Sequence, residues 1–218
     1  MHKIAEFILN ILLPCYTVCG KEYMYMTEML PMNKQFFSTK DLYDLGFSYY
    51  KIMKMVDEGK LVKLNKSTYE NASYVGDVND FSTVCAYIPK GVICMLSAAR
   101  FYELTTYLPD AVDIAIERSM KISTRPVWPA TNIWFFPEER YASCVKNYEI
   151  NGHSIKIYSI EKTVADIIYY RNKVGIEETK EILTNYLKRK DRDLVELHRL
   201  AEKLGCKKIL QTYLEVLI

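Results

Sequence analysis

Apolar and polar positions alternate along the chain in two rhythms, one helical and one extended. From Ser48 onward, Tyr49, Ile52, Met53 and Val56 recur at i, i+3, i+4 and i+7, which predicts a helix with one apolar face. Tyr50, Lys51 and Lys54 fall opposite, Ser48 is the expected N-cap, and Glu58-Gly59 the expected end. Just upstream, Ser38 or Thr39 caps a shorter helix through Leu42 and Leu45 that Gly46 closes. A further helix is expected over residues 23–30, stopped by Pro31, which disfavours helical angles in the residue before it. Leu61, Val62 and Leu64 then begin a strand, Asn65-Lys66-Ser67 make a turn, and Thr68-Tyr69 begin the return strand. Helix, short helix, Gly turn, helix and hairpin is the order of a winged helix-turn-helix.

Gly76-Asp77-Val78-Asn79-Asp80 reads as a hinge, and strands alternate with helices beyond it. Residues 91–95 are an apolar run and 96–104 a short helix. Val112, Ile114 and Ile116 alternate as a half-buried strand, with a second strand expected at 132–136. Asn151-Gly152 between two alternating runs predicts a tight hairpin, because both residues tolerate positive φ. From Ser159 the pattern is helical. Ile160, Val164, Ile167, Ile168 and Arg171 line one face, and helices follow at 177–187, around Leu194 to Leu204, and at 207–217. The expected fold class is α+β: a winged helix-turn-helix at 22–75, then a mixed sheet-plus-helices domain at 76–218, with residues 1–21 an atypical N-terminal extension.

Composition narrows the function classes. Half of the 218 residues are hydrophobic, as an ordinary globular core requires, which excludes collagen-like and wholly disordered chains. With 29 Lys+Arg against 27 Asp+Glu there is no uniformly basic coat, so any DNA contact must come from a local patch. Residues 32–75 hold seven lysines and five acids. Among them Lys40, Lys51, Lys54, Lys63 and Lys66, with Ser48 and Tyr50, are the candidate DNA-binding residues: Lys40 on the helix that would brace across the backbone, the others on the helix that would enter the major groove and the hairpin that would reach phosphate. Lys188, Arg189, Lys190 and Arg192 form the densest basic run, read as an inter-helix loop with an accessory contact as the alternative.

Six cysteines without a C-x-x-C pair, and three histidines, give no zinc-ligand spacing, so no metal or cofactor is expected and a cytoplasmic compartment is. Residues 1–20 look partly like a secretory signal, but Glu6 and Asn10 interrupt the apolar run and no small-residue cleavage site follows. The run is shorter than the ~18 residues a span needs. It is read as an added amphipathic helix or as translation from an upstream methionine, without a membrane role.

Glu161, Lys162 and Asp166 invite a catalytic reading. Lys162 and Asp166 are neighbours at i, i+4, and Asp166 is also placed to meet a distant arginine, so a structural ion pair is the expected role. No P-loop, nucleophile elbow or H-E-x-x-H motif occurs. Pro109-Asp110 looks like half of a metal-dependent nuclease motif, but Glu117-Arg118-Ser119 lacks the lysine two residues after the acid. No catalytic residue is assigned, and a non-enzyme is expected.

In order, these pieces resemble the AbiEi-type antitoxins of bacterial type IV abortive-infection (AbiE) toxin–antitoxin systems. The matching stretches are Phe36-Phe37-Ser38-Thr39-Lys40-Asp41-Leu42 with Leu45-Gly46, Glu58-Gly59-Lys60-Leu61, and Pro89-Lys90-Gly91-Val92-Ile93-Cys94 with Leu96-Ser97-Ala98-Ala99 and Leu104-Thr105. Tyr158-Ser159-Ile160-Glu161-Lys162-Thr163-Val164-Ala165-Asp166, trailed by Arg171, is similar to the family's E-K-T-hydrophobic-x-D signature. The first twenty residues depart from the pattern, as does Lys66-Ser67-Thr68-Tyr69, where the family usually has Gly-Val-Tyr. The resemblance implies an N-terminal domain that binds inverted repeats of double-stranded operator DNA and represses its own operon. It implies a C-terminal domain that counteracts a nucleotidyltransferase-like toxin without a stable complex. The alternative is a winged-helix transcriptional regulator whose C-terminal domain senses a ligand or partner.

Overall fold

The computed structural model describes residues 16–18, 21–23 and 30–217. The chain divides into two compact units, Met1–Gly76 and Asp77–Ile218. In the first, β1 (Tyr16–Val18) pairs antiparallel with β2 (Lys21–Tyr23). The helix expected at 23–30 lies outside the described residues apart from its ends, Tyr23 in β2 and Leu30 in irregular chain. The amphipathic helix expected within 1–20 lies outside them too, except that residues 16–18 are strand.

The local signals between Phe36 and Asn71 act as physical chemistry requires. Strand β3 (Phe36–Ser38) runs into α1 (Thr39–Asp44) through a capping box. Ser38 Oγ accepts from Asp41 N–H at 3.0 Å, and Asp41 Oδ2 accepts from Ser38 N–H at 2.8 Å. Gly46, at φ +86°, then takes a left-handed conformation that a side chain would strain. Ser48 caps α2 (Tyr49–Asp57), accepting from Lys51 N–H at 3.4 Å. Strands β4 (Leu61–Lys63) and β5 (Thr68–Asn71) complete an antiparallel sheet of order β3-β5-β4.

Around this sheet Phe37, Leu42, Phe47, Ile52, Met55, Leu61 and Tyr69 form the core. The apolar face of α2 is therefore Ile52, Met55 and Val56, not the expected Tyr49, Ile52, Met53 and Val56. Tyr49 is 58% exposed, because the core lies under the later turns of the helix and leaves its first turn in solvent. The β4–β5 turn needs no glycine. Asn65 Oδ1 accepts from Ser67 N–H at 3.0 Å, an Asx turn, and Leu64 N–H reaches Thr68 C=O at 3.0 Å.

The second unit is built on a five-stranded sheet of order β8-β7-β6-β10-β9, from β6 (Val92–Ile93), β7 (Val112–Glu117), β8 (Thr131–Phe136), β9 (Val145–Ile150) and β10 (His153–Tyr158). Strand β7 runs parallel to β8 and antiparallel to β6, which runs parallel to β10. Asn151 and Gly152, both at positive φ, close the β9–β10 hairpin where expected. Strand β7 is buried on both faces, not half-buried: Val112, Ile114 and Ile116 enter one apolar cluster while Ala115 enters the other. Helices cover each side of a central strand, so alternation here marks two cores rather than a core and solvent.

Helix α3 (Asp80–Tyr87) begins where a hinge was expected, capped by Asn79, whose Oδ1 accepts from Ser82 N–H at 3.1 Å. Helix α4 (Met95–Phe101) stops short of the expected Leu104, because Glu103 turns to φ +58°. The short α5 (Glu138–Ala142) carried no recognised sequence signal. Helix α6 (Ile160–Tyr169), capped by Ser159, is buried continuously from Lys162 to Ile168 rather than along one face. It ends before Arg171, which opens α7 (Arg171–Val174) and so does not share the α6 face. Helices α8 (Ile176–Lys188), α9 (Leu194–Lys203) and α10 (Lys207–Leu217) follow.

The α4–β7 connection is tied down by one carboxylate. Glu181 of α8 accepts from Thr105 Oγ1 at 2.8 Å, Thr106 N–H at 3.1 Å and Thr106 Oγ1 at 3.2 Å. These bonds, the backbone one foremost, favour the ionised form and hold its pKa below the ordinary glutamate value. A lowered folded-state pKa adds stability above the unfolded value that is lost as pH falls through the folded one. In Glu181→Gln this acid-side contribution is expected to vanish. Urea melts of both proteins between neutral pH and about pH 3 check this: their stability gap should close as pH falls.

Candidate functional site

Two constellations stand out, one in each unit. On the first, α2 turns Tyr50 (79% exposed), Tyr49 and Lys54 to solvent, and its first turn carries no acid. Lys51 is half-buried, with Nζ 5.5 Å from the Phe47 ring centroid, so its stem packs while its head stays near the helix start. Lys54 Nζ lies 3.8 Å from Glu58, an exposed i, i+4 pair. Lys40 in α1, Lys63 at the end of β4 and Lys66 in the turn are exposed and have no acidic partner among the described residues. Lys63 Nζ sits 6.0 Å from the Tyr69 ring. Lys34 and Lys60 are engaged instead by Asp41 at 3.2 Å and Glu58 at 2.7 Å. The Ser48 hydroxyl is committed to capping α2. Tyr49, assigned to the core by its spacing, joins the outward face.

On the second unit, Lys162 and Asp166 are each 1% exposed and form a buried ion pair through Lys162 Nζ and Asp166 Oδ2. Arg140 of α5, 13% exposed, donates from Nη2 to Asp166 Oδ1 at 2.8 Å and from Nη1 to Tyr170 OH at 3.3 Å. Its guanidinium lies 4.3–4.8 Å from the ring centroids of Phe136, Tyr169 and Tyr170. Lys162 Nζ lies 4.4 Å from Tyr158 and 5.1 Å from Phe136. Burial lowers the Lys162 pKa, with Arg140 acting the same way and Asp166 opposing. Arg140 is the distant arginine that the sequence left unnamed; 26 residues from Asp166, it leaves no local period to find.

Thr163 is buried, Glu161 is half-buried, and the Arg171 side chain donates back to Ile168 C=O at 3.5 Å. Neither Glu161 nor Arg171 makes an ion pair with Lys162 or Asp166, so the motif contributes two members, not five, to the cluster. In the basic run, Arg189 pairs with Asp191 at 2.8 Å and donates to Tyr102 C=O at 3.1 Å, while Arg192 donates to Arg189 C=O at 2.6 Å. Lys188 and Lys190 are exposed.

One further buried acid carried no sequence signal. Asp113 on β7 accepts from Trp134 Nε1 at 2.9 Å, Asn132 Nδ2 at 3.3 Å and Ser97 N–H at 3.4 Å, and its own N–H reaches Ser97 Oγ at 2.8 Å. It serves the start of α4, where Cys94 makes no side-chain cap and Met95 sits at φ +46°. Burial raises its pKa against these bonds. Among the described residues no group of three or more His, Cys, Asp or Glu side chains is placed to hold a metal ion, and no helix is long and apolar enough to cross a membrane. No model of a known protein family and no curated protein matches the chain.

Proposed function

We propose that this chain is a DNA-binding antitoxin that represses its own toxin–antitoxin operon and counteracts a nucleotidyltransferase-like toxin. In this reading residues 22–75 are a winged helix-turn-helix, with α2 the recognition helix and the β4–β5 hairpin the wing. The observation that carries it is the order β3-α1-α2-β4-β5 around a β3-β5-β4 sheet, with Tyr49, Tyr50 and Lys54 of α2 outward and Lys66 at the hairpin tip. Such a helix presents its N-terminal residues to base edges, and the lysines take phosphate.

The antitoxin half of the reading rests on the resemblance of residues 36–46, 58–61, 89–105 and 158–171 to the AbiEi family. Residues 76–218 then oppose the toxin without catalysis and without a stable complex, in the cytoplasm. The Arg140–Asp166–Lys162 cluster is the ionic tie between α5 and α6. A regulator of another kind, whose C-terminal unit senses a ligand, is the second reading; a cavity of about 230 Å³ beside that cluster favours it.

A mobility-shift titration of the chain against the DNA upstream of its own gene tests the first half. Salt-sensitive retardation, competed by unlabelled specific DNA, is expected; affinity no greater than for unrelated DNA overturns it. Co-expression with the product of the neighbouring gene tests the second. Rescue of growth supports the antitoxin, and a harmless neighbour leaves the regulator reading in its place.

A further inference from the structure

The buried cluster of the second unit holds more positive than negative charge. Arg140 and Lys162 share one carboxylate, Asp166, and no other acid pairs with either among the described residues. The faces of Phe136, Tyr158, Tyr169 and Tyr170 offset part of the excess through their ring quadrupoles. Among the described residues two buried side-chain atoms have no hydrogen-bond partner: Thr163 Oγ1 on α6 and, inside the cluster, Arg140 Nε. A buried charge-bearing donor in that state is costly unless something completes it.

The cavity of about 230 Å³ opens onto this cluster. Arg140 and Lys162 line it from α5 and α6, Ser143 and Tyr169 add a hydroxyl and an aromatic wall, and Lys203 comes from the end of α9. Glu139 is the one carboxylate in the lining and is exposed. Two cations inside and a third at an exposed position, against Asp166 behind them and Glu139 in the lining, leave a site of positive field that favours an anion; the Ser143 hydroxyl is already given to Arg140 C=O at 2.9 Å. A tetrahedral oxyanion suits a guanidinium fork better than a halide does, because it accepts several directed hydrogen bonds at once.

We propose that the cavity bounded by α5, α6 and α9 binds a phosphoryl-type oxyanion, either inorganic phosphate or the phosphate of a nucleotide. Arg140 is its principal donor and Lys203 its second contact, while buried Lys162 supplies charge from behind. The site is independent of the DNA-binding reading and stands whichever role the C-terminal unit plays.

Calorimetric titration of the full chain with sodium phosphate, at ionic strength held constant with chloride, tests it. A parallel titration uses adenosine monophosphate. Saturable one-site binding is expected, and Lys203→Ala should weaken it about tenfold, or about 1.4 kcal/mol. Lys203 is exposed and makes no ion pair among the described residues, so the variant's melting temperature in chloride should match the parent's. Tighter binding of the nucleotide than of phosphate identifies the nucleotide as the source; equal or weaker binding identifies the free ion. No saturable binding of either titrant, or equal affinity in Lys203→Ala, overturns the site.

Discussion

Asp166→Asn is expected to destabilise the second unit by about 3–5 kcal/mol, the range for removing one partner from a buried ion pair. The substitution keeps the shape of the side chain and removes the only anion that Arg140 and Lys162 contact among the described residues. Both cations then remain in low-dielectric surroundings with aromatic faces alone to compensate, and a neutral amide oxygen accepts more weakly than a carboxylate. For a unit of this size the melting temperature should drop by roughly 10 °C or more. If the cluster is a structural tie, toxin rescue falls only in proportion to the folded protein that remains. A catalytic carboxylate behaves otherwise, losing activity while the melting temperature holds. Thermal melts and growth rescue on the same variant separate the two, and a stable but wholly inactive Asp166→Asn overturns the structural role.

What could be read beforehand was what short-range physics determines. Ser38, Ser48 and Ser159 announce helix starts because a hydroxyl satisfies amides two or three residues away. Asn151-Gly152 announces a hairpin because only residues tolerant of positive φ close it. Burial followed less faithfully. Tyr49 has the right spacing for the core of α2 and lies in solvent, since spacing identifies a face but not how far the core extends beneath it. In β7 the alternation was real, but both faces are covered, which depends on helices distant in sequence. Helix α3 was hidden by the polar Asp77-Val78-Asn79-Asp80 lead-in, although Asn79 is a good cap followed by Phe81, Val84 and Cys85 at helical spacing.

The candidate sites divide in the same way. Lys162 and Asp166 were paired by their i, i+4 spacing, whereas Arg140 reaches Asp166 only because β8 and α5 deliver it to α6. Asp113 shows the harder case: an acid between apolar neighbours on a strand looks exposed until Trp134 and the start of α4 are brought around it. Non-local partners of this kind leave no period in the sequence.

Lys51→Ala and Lys54→Ala together should weaken binding to the native upstream DNA by on the order of tenfold to a hundredfold. In the proposed winged helix, Lys51 lies in the first turn of α2 and Lys54 in its last, both on the helix whose cations neutralise phosphate or read guanine. Each neutralised phosphate releases condensed counterions, so the dependence of log affinity on log salt should become shallower by about 1 for every lysine that no longer reaches the DNA backbone. The two positions differ in what else they do. Lys54 is exposed and its pair with Glu58 is worth about 0–1 kcal/mol, so Lys54→Ala should alter the slope and leave the melting temperature in place. Lys51 also rests on the Phe47 ring, so Lys51→Ala gives up some packing as well and is best compared with Lys51→Met, which keeps the apolar stem. Tyr50→Ala should lower affinity with little change of slope, because an uncharged side chain releases no counterion. Binding isotherms across a salt series on the double variant and these single variants check the assignment. Unchanged affinity and unchanged slope in the double variant would move the DNA face away from α2, towards Lys40 or the Lys63–Lys66 hairpin.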